Sequence, residues 1–126
     1  MTPSGRFEFV VADDQSAGAR LRIDLKKWLL GAGINGTTGD AIVSAVTEAF
    51  INAVEHPVDR SSGQVAVEGE VSGPEVVFRV RDQGRWNETV DLTRDHYGYR
   101  LMKAQMDSVE VERGGSGTVV TLRRTL

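Results

Sequence analysis

The residues V-T-E-A-F-I-N-A-V-E-H-P, Val46 to Pro57, fit a helix and not a strand. At roughly 100° per residue, Glu48, Asn52 and Glu55 fall within about 60° of one another, with His56 at the edge of that face. Val46, Ala49, Phe50 and Ala53 fall on the other side. One side of this helix is apolar and asks for burial. The other carries an acid, an amide, a second acid and an imidazole, and no Lys or Arg. An ordinary solvated face mixes charge signs to gain i,i+4 pairs. A carboxylate one turn before a carboxamide suits an activated hydroxyl or water beside a hydrated divalent cation. A solvated acidic face is the alternative reading of the stretch taken alone.

Towards the N-terminus, Asn35 to Gly39 (N-G-T-T-G) reads as a turn. Asp40 then starts the helix, where a negative charge complements the first-turn dipole. Before the turn, Ala17, Leu21, Leu25, Trp28, Leu29 and Ala32 recur at helical spacing. Asp13, Asp14 and Ser16 are candidate N-caps for that helix, and Gly31 and Gly33 are natural stops. Phe7 to Val11 has the aromatic and β-branched content of a strand.

Towards the C-terminus, Pro57 ends the central helix, because proline disfavours a helical residue before it. Val58 to Gly63 reads as a polar loop. Gln64 to Val71 and Val76 to Arg81 alternate apolar and polar around the turn Ser72-Gly73-Pro74-Glu75, which predicts an antiparallel hairpin with one wet face. Gln83 to Tyr97 shows no regular period and is long enough to be a binding loop. A short helix follows over 98–106, then a second hairpin from Ser108 to Arg123. The order β-α-α-β-β-loop-α-β-β predicts an α+β two-layer sandwich. Its sheet is mainly antiparallel and mixed, with three helices on one face.

Composition narrows the function classes. The 126 residues suit one domain, 1–126, with one core. A net charge of −3 without a basic run argues against nucleic acid as the main partner. There is no cysteine, which excludes disulfides, thiolate metal sites and cysteine nucleophiles. No stretch reads as a membrane span or a signal peptide, so the expected location is the cytoplasm.

Three separated stretches share one chemical logic. The first is the polar face of Glu48, Asn52, Glu55 and His56. The second is Asp82 at a strand end, with Gly84 beside it. A carboxylate there can accept a hydrogen bond from an exocyclic amine, and the glycine lets a flat ring approach the backbone. The third is Gly98 at the start of the short helix, where backbone N–H groups and the dipole favour phosphate. Asn52 can hold a Mg²⁺ that bridges phosphate oxygens. The two commonest nucleotide loops, G-x-x-x-x-G-K-[ST] and G-x-G-x-x-G, are absent.

With these boxes quoted, E-A-F-I-N-A-V-E-H, D-Q-G, G-Y-R-L-M-K-A-Q-M-D-S-V-E-V and G-T-V-V-T-L, the chain resembles the GHKL ATPase superfamily. Within it the nearest likeness is to the bacterial anti-sigma factor serine kinases, over about Phe7 to Leu122. The resemblance implies that Glu48 is the general base for the acceptor serine and that Asn52 is the Mg²⁺ ligand. It places Glu55 and His56 near the phosphates, and Asp82, with Gly84, on the adenine amino group. It places Gly98 in the phosphate box, Leu101 on the same helix among the ATP-binding residues, and Thr118 near adenine. Trp86 and His96 stand where the family usually has glycine, and His96 is counted in the ATP site.

The implied function is an ATP- and Mg²⁺-dependent protein serine/threonine kinase and anti-sigma regulator. The implied partners are a sigma factor and an anti-anti-sigma (STAS) protein, with the kinase a homodimer. A binding module of the same fold that acts by sequestration, without phosphoryl transfer, is the alternative. The catalytic half of a histidine kinase is disfavoured, because the only histidines are His56 and His96 and both fall in the site.

Overall fold

A computed structural model of the chain describes residues 5–12, 16–55, 57–59, 64–82, 85–86, 97–114 and 117–126. In chain order they form β1 (Arg6–Ala12), α1 (Ala17–Gly31), α2 (Gly36–Glu55), β2 (Pro57–Asp59) and β3 (Gln64–Ser72). Then come β4 (Glu75–Asp82), β5 (Arg85–Trp86), α3 (Tyr97–Gln105), β6 (Ser108–Gly114) and β7 (Gly117–Thr125). Five strands form one sheet in the order β1-β3-β4-β7-β6. Every neighbouring pair in it is antiparallel, so the expected two-layer α+β sandwich has no parallel pair among the described strands.

The period-2 alternation of the strands builds the two layers. Phe7, Phe9, Val65, Val67, Val76, Phe78, Val80, Val120 and Leu122 share one face and are buried with the helices in a single core. Glu68, Arg79, Arg81 and Arg123 take the other face. Gly69 pairs with Phe78, and a Cβ at Gly69 would overlap the Phe78 ring. The glycine thus lets that ring lie over β3, 5.7 Å from the Trp28 ring and 6.3 Å from Phe7. This aromatic group fixes α1 on the sheet, with Ala17, Leu21, Leu25 and Leu29 buried beneath the helix as its spacing predicts. Ser16 takes the N-cap position without a side-chain cap bond.

The central helix α2 is buried nearly all round. Ile42, Ala45, Val46, Ala49 and Phe50 are fully buried. The helix packs against α1, α3 and strands β3, β4 and β7.

Two expectations are corrected. Helix α2 starts at Gly36, so the residues read as a turn belong to its first turn, and Asp40 is not the helix start. Tertiary packing overrides the low helix propensity of G-T-T-G. Ile34 folds back to donate from its N–H to the Leu29 carbonyl at 2.8 Å. Gly39 sits so close to the Ile34 carbonyl oxygen that a Cβ would lie 3.2 Å from it. The second correction concerns Pro57–Asp59, which is a strand that pairs antiparallel with Arg85–Trp86 and not a loop. Each of these strands is too short to show a period. Among the described residues no helix is long and apolar enough to cross a membrane.

Candidate functional site

The polar side of α2 is not a solvated face. Asn52 is 2 % exposed and Thr47 is 4 % exposed, while Glu48 is half-buried. Asn52 follows Glu48 by four residues, so both side chains leave the helix on one side. Nδ2 of Asn52 and Oγ1 of Thr47 are buried with no hydrogen-bond partner among the described residues. An unmet buried polar group costs about 1–3 kcal/mol, so such groups are scarce in folded proteins. A carboxamide held in that condition, one turn from a carboxylate, fits a site completed by a ligand.

Helix α3 brings the second part. Gly98 is buried against the Glu48 carboxyl group. A Cβ at Gly98 would overlap Glu48 Oε1 and lie 3.0 Å from Cδ and 3.1 Å from Cγ. Any larger residue at 98 would displace the carboxylate. The spacing of the sequence suggests exposed backbone donors at Gly98, and the structure adds this steric reason. Leu101 lies one turn further along α3 and is half-buried. Met102 and Met106, also buried, seat that end of the chain in the core.

The third part lies at the end of the sheet. Asp82 is the last residue of β4 and is 7 % exposed. Its register partners are Val65 on β3 and Thr118 on β7, and Thr118 is 2 % exposed. Asp82 and Thr118 are therefore side by side on the helix face of the sheet, although far apart in sequence. A cavity of about 310 Å³ touches both residues, but it is also lined by outward-facing Val10, Ala66, Arg81 and Val119. It opens on the far side of the strands from α2 and is a different place from the space beneath that helix.

The structure thus joins Glu48 with Gly98, sets Asn52 one turn from Glu48, and joins Asp82 with Thr118. Glu55 ends α2, and its side chain lies outside the described part, as do His56, Gly84 and His96. Among the described residues no three His, Asp or Glu side chains cluster as a ready metal cage. In the sequence Thr47 carries no signal and looks like helix filler beside Glu48. Only its burial with an unpaired hydroxyl singles it out.

Comparison with known proteins gives a consistent picture. Residues 10–124 match the family described as the histidine kinase-like ATPase domain. The anti-sigma F factor of Clostridium kluyveri is 26% identical over 121 residues, covering 86% of this chain and 84% of that protein. That of Clostridium beijerinckii is 27% identical over 131 residues, covering 93% and 90%. Among solved structures, one of RsbU and RsbW domains from Mycobacterium tuberculosis superposes on 98% of this chain with a TM-score of 0.80 and 22% identity. A blue-light activated histidine kinase of Erythrobacter litoralis gives a TM-score of 0.64 over 84% of this chain, with 23% identity. This chain spans 32% and 42% of those two solved chains, and the likeness to them is one of fold.

Proposed function

The chain belongs to the histidine kinase-like ATPase domain family, and from that premise we propose that it is an ATP-dependent protein serine kinase acting as an anti-sigma regulator. The observation that carries this reading is the buried Asn52 carboxamide with its unpaired Nδ2, one turn after a Glu48 carboxylate seated on Gly98. Both features fit a bound nucleotide. Asn52 offers a polar atom that the described residues leave unmet, and Gly98 keeps side-chain bulk away from the place where α3 begins. Asn52 would hold Mg²⁺ through its Oδ1, in the oxygen-ligand manner of that cation, and its unmet Nδ2, a donor, is free to bond a phosphate oxygen. Asp82 and Thr118 would hold the adenine ring.

Phosphoryl transfer asks the protein mainly for positioning and charge stabilisation. ATP supplies the γ-phosphoryl group, which the serine oxygen gains as the bridging oxygen leaves with ADP and the serine proton passes to Glu48. Glu48 has the reach for this, because it borders an open cavity of about 370 Å³ on one side and Asn52 on the other. Gly98 limits how far its carboxylate can swing. The anti-sigma F names of the relatives support a sigma factor as one partner, while a STAS protein as the serine acceptor is what the family resemblance implies. Residues Trp86 and His96, where the resembling family has glycine, favour a second reading, in which the protein binds its partners without phosphoryl transfer.

The test uses Glu48→Gln, which keeps size and removes the proton acceptor. ATP affinity is expected to stay within a few-fold, while phosphorylation of a STAS serine falls at least ten-fold, within the roughly 10²–10⁴-fold that a general base contributes. Equal rates for parent and variant would remove Glu48 from the mechanism. A parent that binds ATP and phosphorylates no STAS protein would favour the second reading.

A further inference from the structure

We infer that Arg124, on the last strand, is a positioning residue for the Glu48 carboxylate and acts through helix α3. Its guanidinium holds the C-terminal end of α3 and so sets how closely Gly98, at the other end, meets Glu48. The catalytic consequence rests on the kinase reading above, while the positioning itself is measurable without turnover.

Helix α3 does not fix its own place. It has 9 residues, and an isolated helix shorter than about 12–15 residues is marginal in water. Packing therefore holds it. The side chains that seat it in the core are Met102 and Met106, 1 % and 5 % exposed. Methionine is unbranched and adaptable, so these two fill space without fixing where the helix stops along its axis. A directional bond does that.

The sheet supplies the bond. Arg124 follows buried Leu122 by two residues on β7, so it shares the helix face, and it is half-buried opposite Val76. Its Nη1 donates to the Gln105 carbonyl oxygen at 2.6 Å. Gln105 is the last residue of α3, where carbonyls lack partners within the helix and the dipole favours a cation. Lys103 is the basic residue in the last turn of α3 itself. It reaches back over the Tyr99 ring, with Nζ 5.8 Å from the ring centre. The cation on the Gln105 carbonyl thus comes from β7. The residues after α3 are tied to the same strand. The Asp107 N–H donates to the Arg123 carbonyl at 2.8 Å, and the Asp107 carboxylate accepts from the Thr125 N–H.

The other end of α3 has no slack. Gly98 lies in its first turn, roughly 10 Å from Gln105 at about 1.5 Å per residue. A Cβ at Gly98 would overlap Glu48 Oε1. Even a small slide of α3 along its axis therefore pushes the carboxylate aside or releases it. A bond at one end of the helix is felt at the reacting group beyond the other.

The experiment uses the whole chain, nucleotide-free, with ¹³C-labelled glutamate carboxyl groups. The Glu48 signal is the one lost in Glu48→Gln. Arg124→Leu, which removes the guanidinium, is expected to shift that signal by more than its line width. Arg124→Lys, which can still donate to the Gln105 carbonyl, is expected to restore it. Arg123→Leu is the control, because Arg123 lies on the outer face, 3.2 Å from Glu75, and its loss disturbs β7 without touching α3. With a STAS protein of the same genome as acceptor, Arg124→Leu is expected to lower kcat about five-fold or more, with both KM values within about two-fold, as for a misplaced base. In the Glu48→Gln background the same change is expected to have no further effect, because the two residues act as a unit. An unmoved Glu48 signal in Arg124→Leu, or an equal shift in Arg123→Leu, overturns the inference. So does a kcat loss that persists undiminished in the Glu48→Gln background. A parent that phosphorylates no STAS protein overturns the kinase reading, and the Glu48 signal still decides the positioning.

Discussion

On the outer face of the sheet, Arg81 Nε lies 3.0 Å from Glu68 Oε1 and Arg123 Nη1 lies 3.2 Å from Glu75 Oε1, all partly in solvent. On the helix side, Asn52 and Thr47 are buried with polar atoms that the described residues leave unmet. The outer face could lose its pairs and let water take their place. The inner face has no such substitute and carries a cost that burial alone does not explain. Where a polar group is exposed and paired, its contribution is small and structural. Where it is buried and unpaired, it costs stability that only a further partner would offset.

The largest effect that could break this contrast is at Asn52. Asn52→Leu keeps the side-chain outline and removes the donor. Nucleotide affinity in Mg²⁺ is expected to fall roughly 10- to 100-fold, the worth of a hydrogen bond to a charged group. The nucleotide-free protein is expected to be as stable as the parent or up to about 1 kcal/mol more stable, because an unmet buried amide has gone. Calorimetric titration and urea unfolding of the same variant measure both. A clear loss of stability with unchanged affinity would make Asn52 a structural residue.

Gly98→Ala comes next. The new methyl group overlaps Glu48, while alanine gains about 1 kcal/mol of helix propensity over glycine. The thermal midpoint is expected to move little, because a flexible side chain can yield. Phosphoryl transfer is expected to drop about ten-fold as the carboxylate is displaced, within the range for a misplaced base. Full activity in this variant would separate α3 from the reacting group.

On the outer face, Glu68→Gln is expected to cost about 0.2–1 kcal/mol at low salt, and less at high salt. A cost of several kcal/mol would erase the distinction between the two faces. The smallest effect concerns Asp107. Hydrogen bonds from Thr125, to which its side chain and backbone contribute, hold the Asp107 carboxyl below the usual carboxylate range, with Arg124 adding to the shift. A lowered folded-state pKa stabilises above the unfolded value, near 3.8, and that contribution is lost as pH falls through the folded value. Urea midpoints of the parent should therefore decline below pH 4 more than those of Asp107→Asn.

Much of this was legible in the sequence because the residues involved carry strong local periods. The 3.6-residue stripe from Ala17 to Leu29 and the alternation in Val76–Arg81 each name their buried face. Asp82 stands out at its strand end and Thr118 only through the family resemblance, and only the β4–β7 register makes them neighbours. The start of α2 was hidden by G-T-T-G, whose propensities oppose a helix that packing enforces. Pro57–Asp59 and Arg85–Trp86 are too short for any period. Thr47 gave no signal, since a threonine in a helix is common and its meaning depends on what covers it.

The place of β1 has a kinetic consequence. Ala12 pairs with Gln64, and both long helices lie in the chain between them. The β3–β4 hairpin closes locally through Gly73, at φ 59°, and β6 meets β7 across Gly114 and Gly117. Loop-closure entropy delays contacts of long sequence separation, so β1 joins after the hairpins and the helix pair. Until it does, the β3 edge stands open with Val65 and Val67 uncovered. That interval is when a newly made chain is most exposed to pairing with another copy of itself.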